Sequence, residues 1–526
     1  MDYETLQNHY TRFLSSRVAD RKLRAFWSGA LPAHVTPHPD PIELAAGMPN
    51  EGLFPIESLH VNVVDEPFAH EQYAVRARQL HRDGGGRGEE FDSRAFVQDR
   101  LERGSLVDVW RYDPDRPAAL SGAVAYQYAE SRGQPQLLEF CRRIVQRINP
   151  PAYDQWDVTL AHGSSDSLFK VFETFCDAGV TVLAEEFTFT PTVSNIVAAG
   201  GTVVPVKVNV TQDAESQGID VEFLADLLDN WASSRYAHLS KPRLLYTIPT
   251  GQNPTGTTLS QAKRRQIYDL ANKHDFLIVE DDPYGYLKLP AFDRADPHHN
   301  AYASDELSVD DYCDKVLSKS FITIDTVGRV LRLETFSKLF LPGVRISFIV
   351  ANKFLIDRIV DFADVSVRAP NGIAQAVLVN VIHHWGTKYH DDLQGWLHWV
   401  MKVASQYTHR RNVLFQALYS TDAYKKGLFT LTEPSAGMFL TLKPSFEKSD
   451  KFPLSERERA LDVFNYKLLE EGVKVVLGTK MIVCRELSLD RSFFLRITFA
   501  YAADDLQLQE AASRISRAVE RLFDEY

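Results

Sequence analysis

Short apolar segments that alternate with helical patterns dominate the middle of the chain and restrict what it can fold into. The clearest are residues 180–184, 202–206, 244–248 and 276–279. Each is a continuous, mostly apolar run of four or five residues, which is typical of a strand buried on both faces of a parallel sheet. The pattern predicts a wound α/β domain, and such domains bind ligands at the carboxyl ends of their strands.

Patterns further along the chain predict a second domain. Long helical patterns follow residue 352, and alternating segments near 429–442 and 493–499 indicate a smaller α+β unit. We therefore predict an N-terminal segment (1–120) that includes a flexible Gly-rich loop near 82–90, a large domain (121–385) and a small C-terminal domain (386–526).

The segment from Glu334 to Arg345 is the most informative for chemistry. A predicted strand ends in Thr335 and Ser337, followed at once by Lys338 and seven positions later by Arg345. Hydroxyl groups and a guanidinium around a turn can bind a phosphate. A lysine beside that phosphate site is placed to form a Schiff base with a phosphorylated aldehyde, although a strand-end lysine can also be purely structural.

Two other predicted strands end in polar residues. Asn253 lies in a Pro- and Gly-rich turn after the strand at 244–248, and its amide can hydrogen-bond a cofactor. Asp281 and Tyr284 follow the strand at 276–279, and a carboxylate beside a pyridine nitrogen keeps that nitrogen protonated. An ordinary turn and a solvated or magnesium-binding carboxylate cluster are the alternatives for these two segments.

Charge and cysteine content limit the class of protein. The 526-residue chain carries 58 basic and 70 acidic residues, a net charge of −12, which disfavours nucleic-acid binding. The four cysteines form no CxxC pair, and His298 and His299 lack a third ligand at usable spacing, so we expect no disulfide framework and no metal site. With no leader or membrane-spanning segment evident, we expect a cytoplasmic protein that does not bind membranes.

Together, these motifs identify the chain as similar to the fold-type I pyridoxal-phosphate aminotransferases. The motifs that carry the resemblance are Asn253-Pro254-Thr255-Gly256, Asp281 to Tyr284, and Ser337-Lys338 with Arg345. Within that family, the chain resembles the branch of fungal aromatic aminotransferases and kynurenine/2-aminoadipate aminotransferases. The resemblance implies a large domain with a mostly parallel seven-stranded sheet flanked by helices, and a smaller α+β C-terminal domain.

The resemblance also assigns the residues that bind pyridoxal 5'-phosphate (PLP). Lys338 would form the Schiff base and move protons, and Asp281 would pair with the pyridine nitrogen. Asn253 and Tyr284 would hydrogen-bond the ring oxygen. The remaining cofactor-binding residues it implies are Ser164, Ser165, Phe189, Thr335, Ser337, Arg345 and Tyr128. Phe189 replaces a tyrosine that is common in relatives, so stacking on the ring is expected without the hydroxyl contact.

The substrate site follows from the same resemblance. Arg496 matches the arginine that binds the substrate α-carboxylate, Gly47 matches a segment that lines the site, and Asn253 belongs to the same set. An arginine within an apolar strand pattern is costly to bury unpaired, and a substrate carboxylate is a natural partner for it, with a structural ion pair as the alternative. Tyr128 matches a residue contributed across a dimer interface, which implies a homodimer with composite active sites.

The implied reaction is transfer of the amino group of an aromatic L-amino acid to a 2-oxo acid such as 2-oxoglutarate, by ping-pong kinetics. Specificity for 2-aminoadipate or kynurenine is one alternative, and another PLP reaction on the same scaffold is a second. A regulator with an aminotransferase-like effector domain is a third, although the acidic chain leaves few residues before Gly47 for a DNA-binding domain. Side-chain specificity is expected to depend on N-terminal loops and on residues 288–330.

Overall fold

The computed structural model describes residues 1–21, 47–65, 104–114, 119–303, 307–502 and 504–525, with isolated residues before 119 (32, 34–40, 42, 44, 67, 98, 101, 102 and 116). The predicted Gly-rich loop at 82–90 lies outside these residues. The strands are β1 (Ser58–Val63), β2 (Ser105–Trp110), β3 (Trp156–Ala161), β4 (Thr181–Glu185), β5 (Thr202–Val206), β6 (Val208–Asn209), β7 (Gly218–Ile219), β8 (Pro242–Thr247), β9 (Leu277–Asp281), β10 (Val330–Thr335), β11 (Ser347–Asn352), β12 (Phe429–Thr432), β13 (Phe439–Pro444), β14 (Val476–Leu477) and β15 (Leu495–Thr498).

α-Helices of five or more residues connect and cover these strands. They are α1 (Tyr3–Tyr10), α2 (Gly122–Tyr126), α3 (Pro135–Ile148), α4 (Ser164–Phe175), α5 (Thr190–Ala198), α6 (Val221–Asp229), α7 (Gln261–His274), α8 (Lys353–Asp364), α9 (Gly372–Thr387), α10 (Asp392–Ser420), α11 (Arg457–Glu470) and α12 (Asp505–Glu525). Within the described ranges, none of the helices has the length and apolarity needed to cross a membrane.

A seven-stranded sheet forms the centre of the large domain. Its strand order is β3-β11-β10-β9-β8-β4-β5, and every neighbouring pair is parallel except the two that involve β11. This arrangement confirms the predicted mostly parallel sheet. Because β3, β4, β8, β9 and β10 run in one direction, their carboxyl ends lie along a single edge, where the predicted site residues follow.

The apolar runs form these strands because both faces of the sheet are covered. All five residues of β9 are buried, as are all six of β10. The connecting helix α7 is capped at its N-terminus by Ser260, whose hydroxyl accepts a hydrogen bond from Lys263 N at 3.4 Å. It ends at Asp275, whose left-handed backbone (φ 58°) terminates the helix before β9.

The small sheet lies in the C-terminal part of the chain. Its order is β12-β13-β15-β14, all antiparallel, and α11 and α12 pack against each other beside it. Helix α10 joins the two cores, because Trp396 and Val400 are buried with the large sheet whereas Phe415 and Leu418 are buried with the small one. The N-terminal helix α1 also packs on the large domain, where the Tyr10 hydroxyl donates to Val327 O at 2.6 Å.

A cluster of buried charges, here called the buried ion network, joins β9, β10 and α7. Arg332 Nη1 lies 2.8 Å from Asp282 Oδ2 and 3.2 Å from Glu280 Oε1, and its Nε lies 2.6 Å from Glu334 Oε1. Arg264 Nη1 lies 3.1 Å from the same Glu280 oxygen. All five side chains are at most 4% exposed, so each charge depends on its partners rather than on water.

The buried ion network extends to the loops at the sheet edge. Arg264 Nη2 donates to Pro249 O at 3.1 Å and to Thr250 Oγ1 at 2.9 Å, in the turn after β8. Glu280 Oε1 accepts from Phe321 N at 3.3 Å. The network therefore fixes the turn that carries Asn253 relative to the strands that carry Asp281 and Lys338.

Replacing Arg332 by methionine tests the importance of this network. The variant keeps most of the side-chain volume but leaves three buried carboxylates short of a cation, so we expect the free energy of unfolding to fall by about 3–5 kcal/mol in urea denaturation. Arg517→Met is the matched control, because Arg517 is half exposed and pairs with Glu471 on the surface. The control should lose less than about 1 kcal/mol. Equal losses in the two variants would contradict the account.

Candidate functional site

The predicted site residues follow five strands that end at one edge of the large sheet. Ser164 and Ser165 open α4 after β3, and Phe189 lies in the turn between β4 and α5. Further residues are carried by the other three strands: Asn253 after β8, Asp281 and Tyr284 at β9, and Thr335, Ser337 and Lys338 at β10. The structure thus brings residues that are distant in sequence to one side of the domain.

Lys338 lies in a helical turn, Phe336–Lys338, directly after β10. Its side chain is partly buried, and its amine has no hydrogen-bond partner among the described residues. Burial, and to a smaller extent the positive charge of Arg345, lower the pKa of Lys338 from its ordinary value. A larger fraction of this amine is therefore unprotonated at neutral pH than for an exposed lysine.

Hydroxyl, guanidinium and backbone donors converge beside Lys338. Thr335 Oγ1 accepts from Ser337 N at 3.1 Å, and the two hydroxyl oxygens are 2.9 Å apart. Arg345 Nη2 donates to His162 O at 3.3 Å, next to the start of α4. Gly163 has a φ of 84°, and a Cβ there would overlap the Arg345 guanidinium. Glycine at 163 therefore lets the cation approach a helix N-terminus, which is a favourable place for an anion.

Asp281 is the buried carboxylate of the site. Tyr246 donates its hydroxyl to Asp281 Oδ2 at 2.9 Å, whereas Oδ1 is buried without a hydrogen-bond partner among the described residues. Burial raises the pKa of Asp281 to about 7, with the Tyr246 hydrogen bond opposing the rise and Asp282 adding to it. This oxygen therefore remains available to accept a hydrogen bond from a bound donor.

Arg496 and Asn253 meet on the other side of the site. Arg496, on β15, donates from Nη1 to Asn253 Oδ1 at 2.8 Å. Its guanidinium carbon lies 4.6 Å from the ring centroid of Phe439, and the Tyr284 ring contacts Phe439 edge-on at 5.9 Å. Among the described residues Arg496 forms no ion pair, which was the alternative left open by the sequence. A half-buried arginine without an acidic partner is suited to an anionic ligand.

Gly47 and Tyr128 are both exposed on the surface. The Gln127 side chain donates to Pro49 O at 2.8 Å and accepts from Tyr128 N at 3.0 Å. Tyr128 is 71% exposed, and Gly47 has no atom within 4 Å of where its Cβ would be. No contact in the described structure joins either residue to Lys338. Phe189, by contrast, is partly buried against the large core.

Two residues that support the site were missed by sequence reasoning. Glu185, at the end of β4, accepts hydrogen bonds from Thr247 Oγ1 at 2.9 Å, Ile248 N at 3.0 Å and Gln252 Nε2 at 3.1 Å, and so holds the turn before Asn253. Tyr246 is the donor to Asp281. The sequence feature that could have identified both residues is a carboxylate or a phenol within an otherwise apolar strand, because such a group requires a buried partner.

Comparisons with known proteins show the family of this chain. The family model for aminotransferases of class I and II matches residues 102–515. Aromatic amino acid aminotransferase 2 of Saccharomyces cerevisiae is 46% identical over 100% of this chain and 98% of its own length. An aromatic amino acid aminotransferase of Schizosaccharomyces pombe is 30% identical over 88% of this chain and 87% of its own length.

Solved structures give the same result. The aromatic aminotransferase Aro9 from Candida albicans superposes with a TM-score of 0.83 at 38% identity, covering 98% of both chains. The aminotransferase Aro8 from the same organism has a TM-score of 0.77 at 27% identity and covers 97% of this chain and 98% of its own. The fold predicted from the sequence motifs is therefore confirmed.

The raised pKa of Asp281 predicts a pH-dependent difference in stability between the ligand-free protein and its Asp281→Asn variant. The pKa is about 7 in the folded protein and near 3.8 when unfolded, so ionisation destabilises the native state as pH rises through this interval. Asparagine does not ionise, so the variant does not lose free energy of unfolding at this position as the pH rises. The variant's advantage in free energy of unfolding should grow from pH 4 to pH 7, by up to about 4 kcal/mol, and then level off. A difference that is constant with pH would contradict this assignment.

Proposed function

Because the chain belongs to the class I and II aminotransferases, we propose that it transfers the amino group of an aromatic L-amino acid to a 2-oxo acid such as 2-oxoglutarate. The observation that carries the proposal is the single sheet edge that holds the Lys338 amine, the unpartnered Asp281 oxygen and the anion-binding group around Arg345. The aromatic substrate class is supported by relatives that match this chain along nearly its full length and are named aromatic aminotransferases.

The residues at this edge fit PLP, the cofactor of the family. The start of α4, Ser337 and Arg345 would hold the phosphate, and the buried Asp281 Oδ1 would accept the ring N–H. Asn253 and Tyr284 would hydrogen-bond the ring oxygen, and Phe189 would stack on the ring. Once bound, PLP supplies an aldehyde that condenses with amines and a protonated ring that takes up the electron pair released at the substrate α-carbon.

Lys338 is proposed as the residue that bonds the cofactor and moves protons. Its amine has no competing partner among the described residues, and burial lowers its pKa. A larger share of unprotonated amine makes Lys338 Nζ a competent acceptor for the proton of the substrate α-carbon. The same nitrogen returns the proton in the second half of the transfer.

Arg496 is proposed to bind the α-carboxylate of each substrate. Its hydrogen bond to Asn253 and its contact with the Phe439 ring fix the plane of the guanidinium, leaving its remaining N–H groups for a ligand. A planar guanidinium binds a carboxylate through two parallel hydrogen bonds. The amino donor and the 2-oxo acid acceptor both carry this carboxylate, so one arginine serves both half reactions.

We also propose that the active enzyme is a homodimer with composite sites. Tyr128 is exposed, and the preceding residue, Gln127, hydrogen-bonds to Pro49 in the exposed segment that begins at Gly47. The apolar side chains of Leu53, Val124 and Ile373 are also exposed, and one surface cavity is lined by Ile373 and by the residues that follow Leu53 and Val124. Exposed apolar groups of this kind are common at protein interfaces. In the dimer, Tyr128 and Gly47 would complete the site of the partner subunit.

A cytoplasmic location fits the thiol content. All four cysteines are free, and three of them are buried. Free cysteines without a disulfide framework are typical of a reducing compartment.

Visible absorption spectroscopy tests the proposed function. The PLP-loaded protein should have the absorption band of lysine-bound cofactor, and L-tyrosine, L-phenylalanine or L-tryptophan should convert it to the pyridoxamine form. The Lys338→Ala variant should remain folded but show no measurable turnover. Conversion by 2-aminoadipate or kynurenine alone would contradict the aromatic assignment, and a wild-type protein that binds no PLP would contradict the proposed function.

Replacing Arg496 by alanine should weaken the binding of every substrate. Loss of the carboxylate contact is expected to raise the KM for L-tyrosine about 100-fold, since hydrogen bonds to charged groups are among the strongest in proteins. L-Tyrosinamide, which has no carboxylate, is the matched substrate control. Wild-type enzyme should strongly prefer L-tyrosine to the amide, and the variant should lose that preference. An unchanged preference would place the carboxylate site elsewhere.

A further inference from the structure

We propose that Tyr246 is a positioning residue that keeps the cofactor ring protonated by holding one oxygen of Asp281 and leaving the other for the ring nitrogen. The inference rests on the proposed function, because it concerns the residue that faces the PLP ring. Tyr246 lies on β8, whereas the sequence motifs place Asp281 on β9 and Lys338 after β10.

The contact is part of a buried chain of hydroxyl groups. Tyr246 is fully buried, and its hydroxyl donates to Asp281 Oδ2 at 2.9 Å. Thr192, also fully buried in the first turn of α5, donates its hydroxyl to the Tyr246 oxygen at 3.2 Å. A hydroxyl that accepts one hydrogen bond becomes a stronger donor in the next, so Thr192 strengthens the bond to Asp281.

The two oxygens of Asp281 have different surroundings. Oδ2 is occupied by Tyr246, whereas Oδ1 has no partner among the described residues. A carboxylate with one oxygen bound cannot turn freely, so it presents a single acceptor in a fixed direction. That direction is set by Tyr246 on β8, the neighbour of β9 in the sheet, and by Thr192 on α5, which holds the Tyr246 hydroxyl.

The surroundings of Asp281 otherwise oppose its ionisation. Asp282 raises its pKa, and the carboxyl of Glu185 and the phenol of Tyr284 are close enough to interact with it electrostatically. Burial acts in the same direction. Within the described chain, the Tyr246 hydroxyl is the group that favours the ionised carboxylate, and an ionised carboxylate is required to keep the proton on the ring nitrogen.

Removal of this hydroxyl has a defined chemical consequence. Without it, Asp281 becomes more basic, and the shared proton moves from the ring nitrogen toward the carboxylate. Only this proton changes position, and no bond between heavy atoms forms or breaks. A less protonated ring is a weaker electron sink, so release of the α-carbon proton slows, whereas substrate binding at Arg496 is untouched. The variant should therefore lose kcat rather than affinity.

The test uses PLP labelled with 15N in the ring, bound to wild-type and Tyr246→Phe protein. The nitrogen resonance of the variant should move from the protonated position toward that of neutral pyridine. Its kcat should fall about tenfold, with KM changed less than about twofold, since a hydrogen bond to a charged group shifts a protonation equilibrium by about that factor. A Thr192→Val variant, which weakens the Tyr246 hydroxyl as a donor, should give a smaller shift of the nitrogen resonance in the same direction. If Tyr246→Phe does not fold, Thr192→Val replaces it in the test.

Tyr268→Phe is the matched control. Tyr268 is also a buried tyrosine of the large domain, and its hydroxyl donates to the buried Asp325 at 3.0 Å. Its loss should lower stability comparably but leave the 15N resonance at the wild-type position. A wild-type resonance in Tyr246→Phe or, failing that protein, in Thr192→Val would overturn the proposal and leave the proposed function intact. Failure of wild-type protein to bind the labelled PLP would instead contradict the proposed function.

Discussion

The buried ion network is the constraint on which the rest of the large domain depends. Two arginines and three carboxylates are enclosed between β9, β10 and α7, where water cannot compensate an unpaired charge. If one of these five side chains moved away, its partner would become an unpaired buried charge, so all five must keep their positions. The consequence reaches the sheet edge, because Arg264 binds the turn after β8 and Arg332 joins the ends of β9 and β10. The network does not itself face the ligand, but it holds in place the turn and the strand ends that carry the site residues.

Alternation along a strand gives three consecutive carboxylates two different functions. Glu280 and Asp282 both pair with Arg332, whereas Asp281 between them contacts Tyr246 instead. Successive side chains of a strand point to opposite faces, so this division follows from the backbone. The same segment thereby supplies both the structural charges and the carboxylate of the proposed site, and burial raises the pKa of Asp281.

Much of the fold and the position of the site could be predicted from sequence. Continuous apolar runs identified the buried strands, and the polar residues after them lie at one sheet edge as expected. The sequence motifs did not reveal which buried groups hold those residues. Tyr246 and Glu185 lie within apolar strands, and their partners come from other strands, so only the sheet register brings them together. Tyr128 could be placed by resemblance alone, because its proposed contacts belong to a second copy of the chain.

Reduction of the PLP-loaded protein with borohydride, followed by peptide mass spectrometry, identifies the lysine that binds the cofactor. Reduction fixes the cofactor to the lysine that holds it. The account predicts a phosphopyridoxyl group on Lys338, the lysine that follows β10 beside the anion-binding group around Arg345. Lys288 is the informative competitor, because burial lowers its pKa to about 8 and an unprotonated amine is what the aldehyde requires. Modification of Lys288 instead of Lys338, or of neither lysine, would contradict the account.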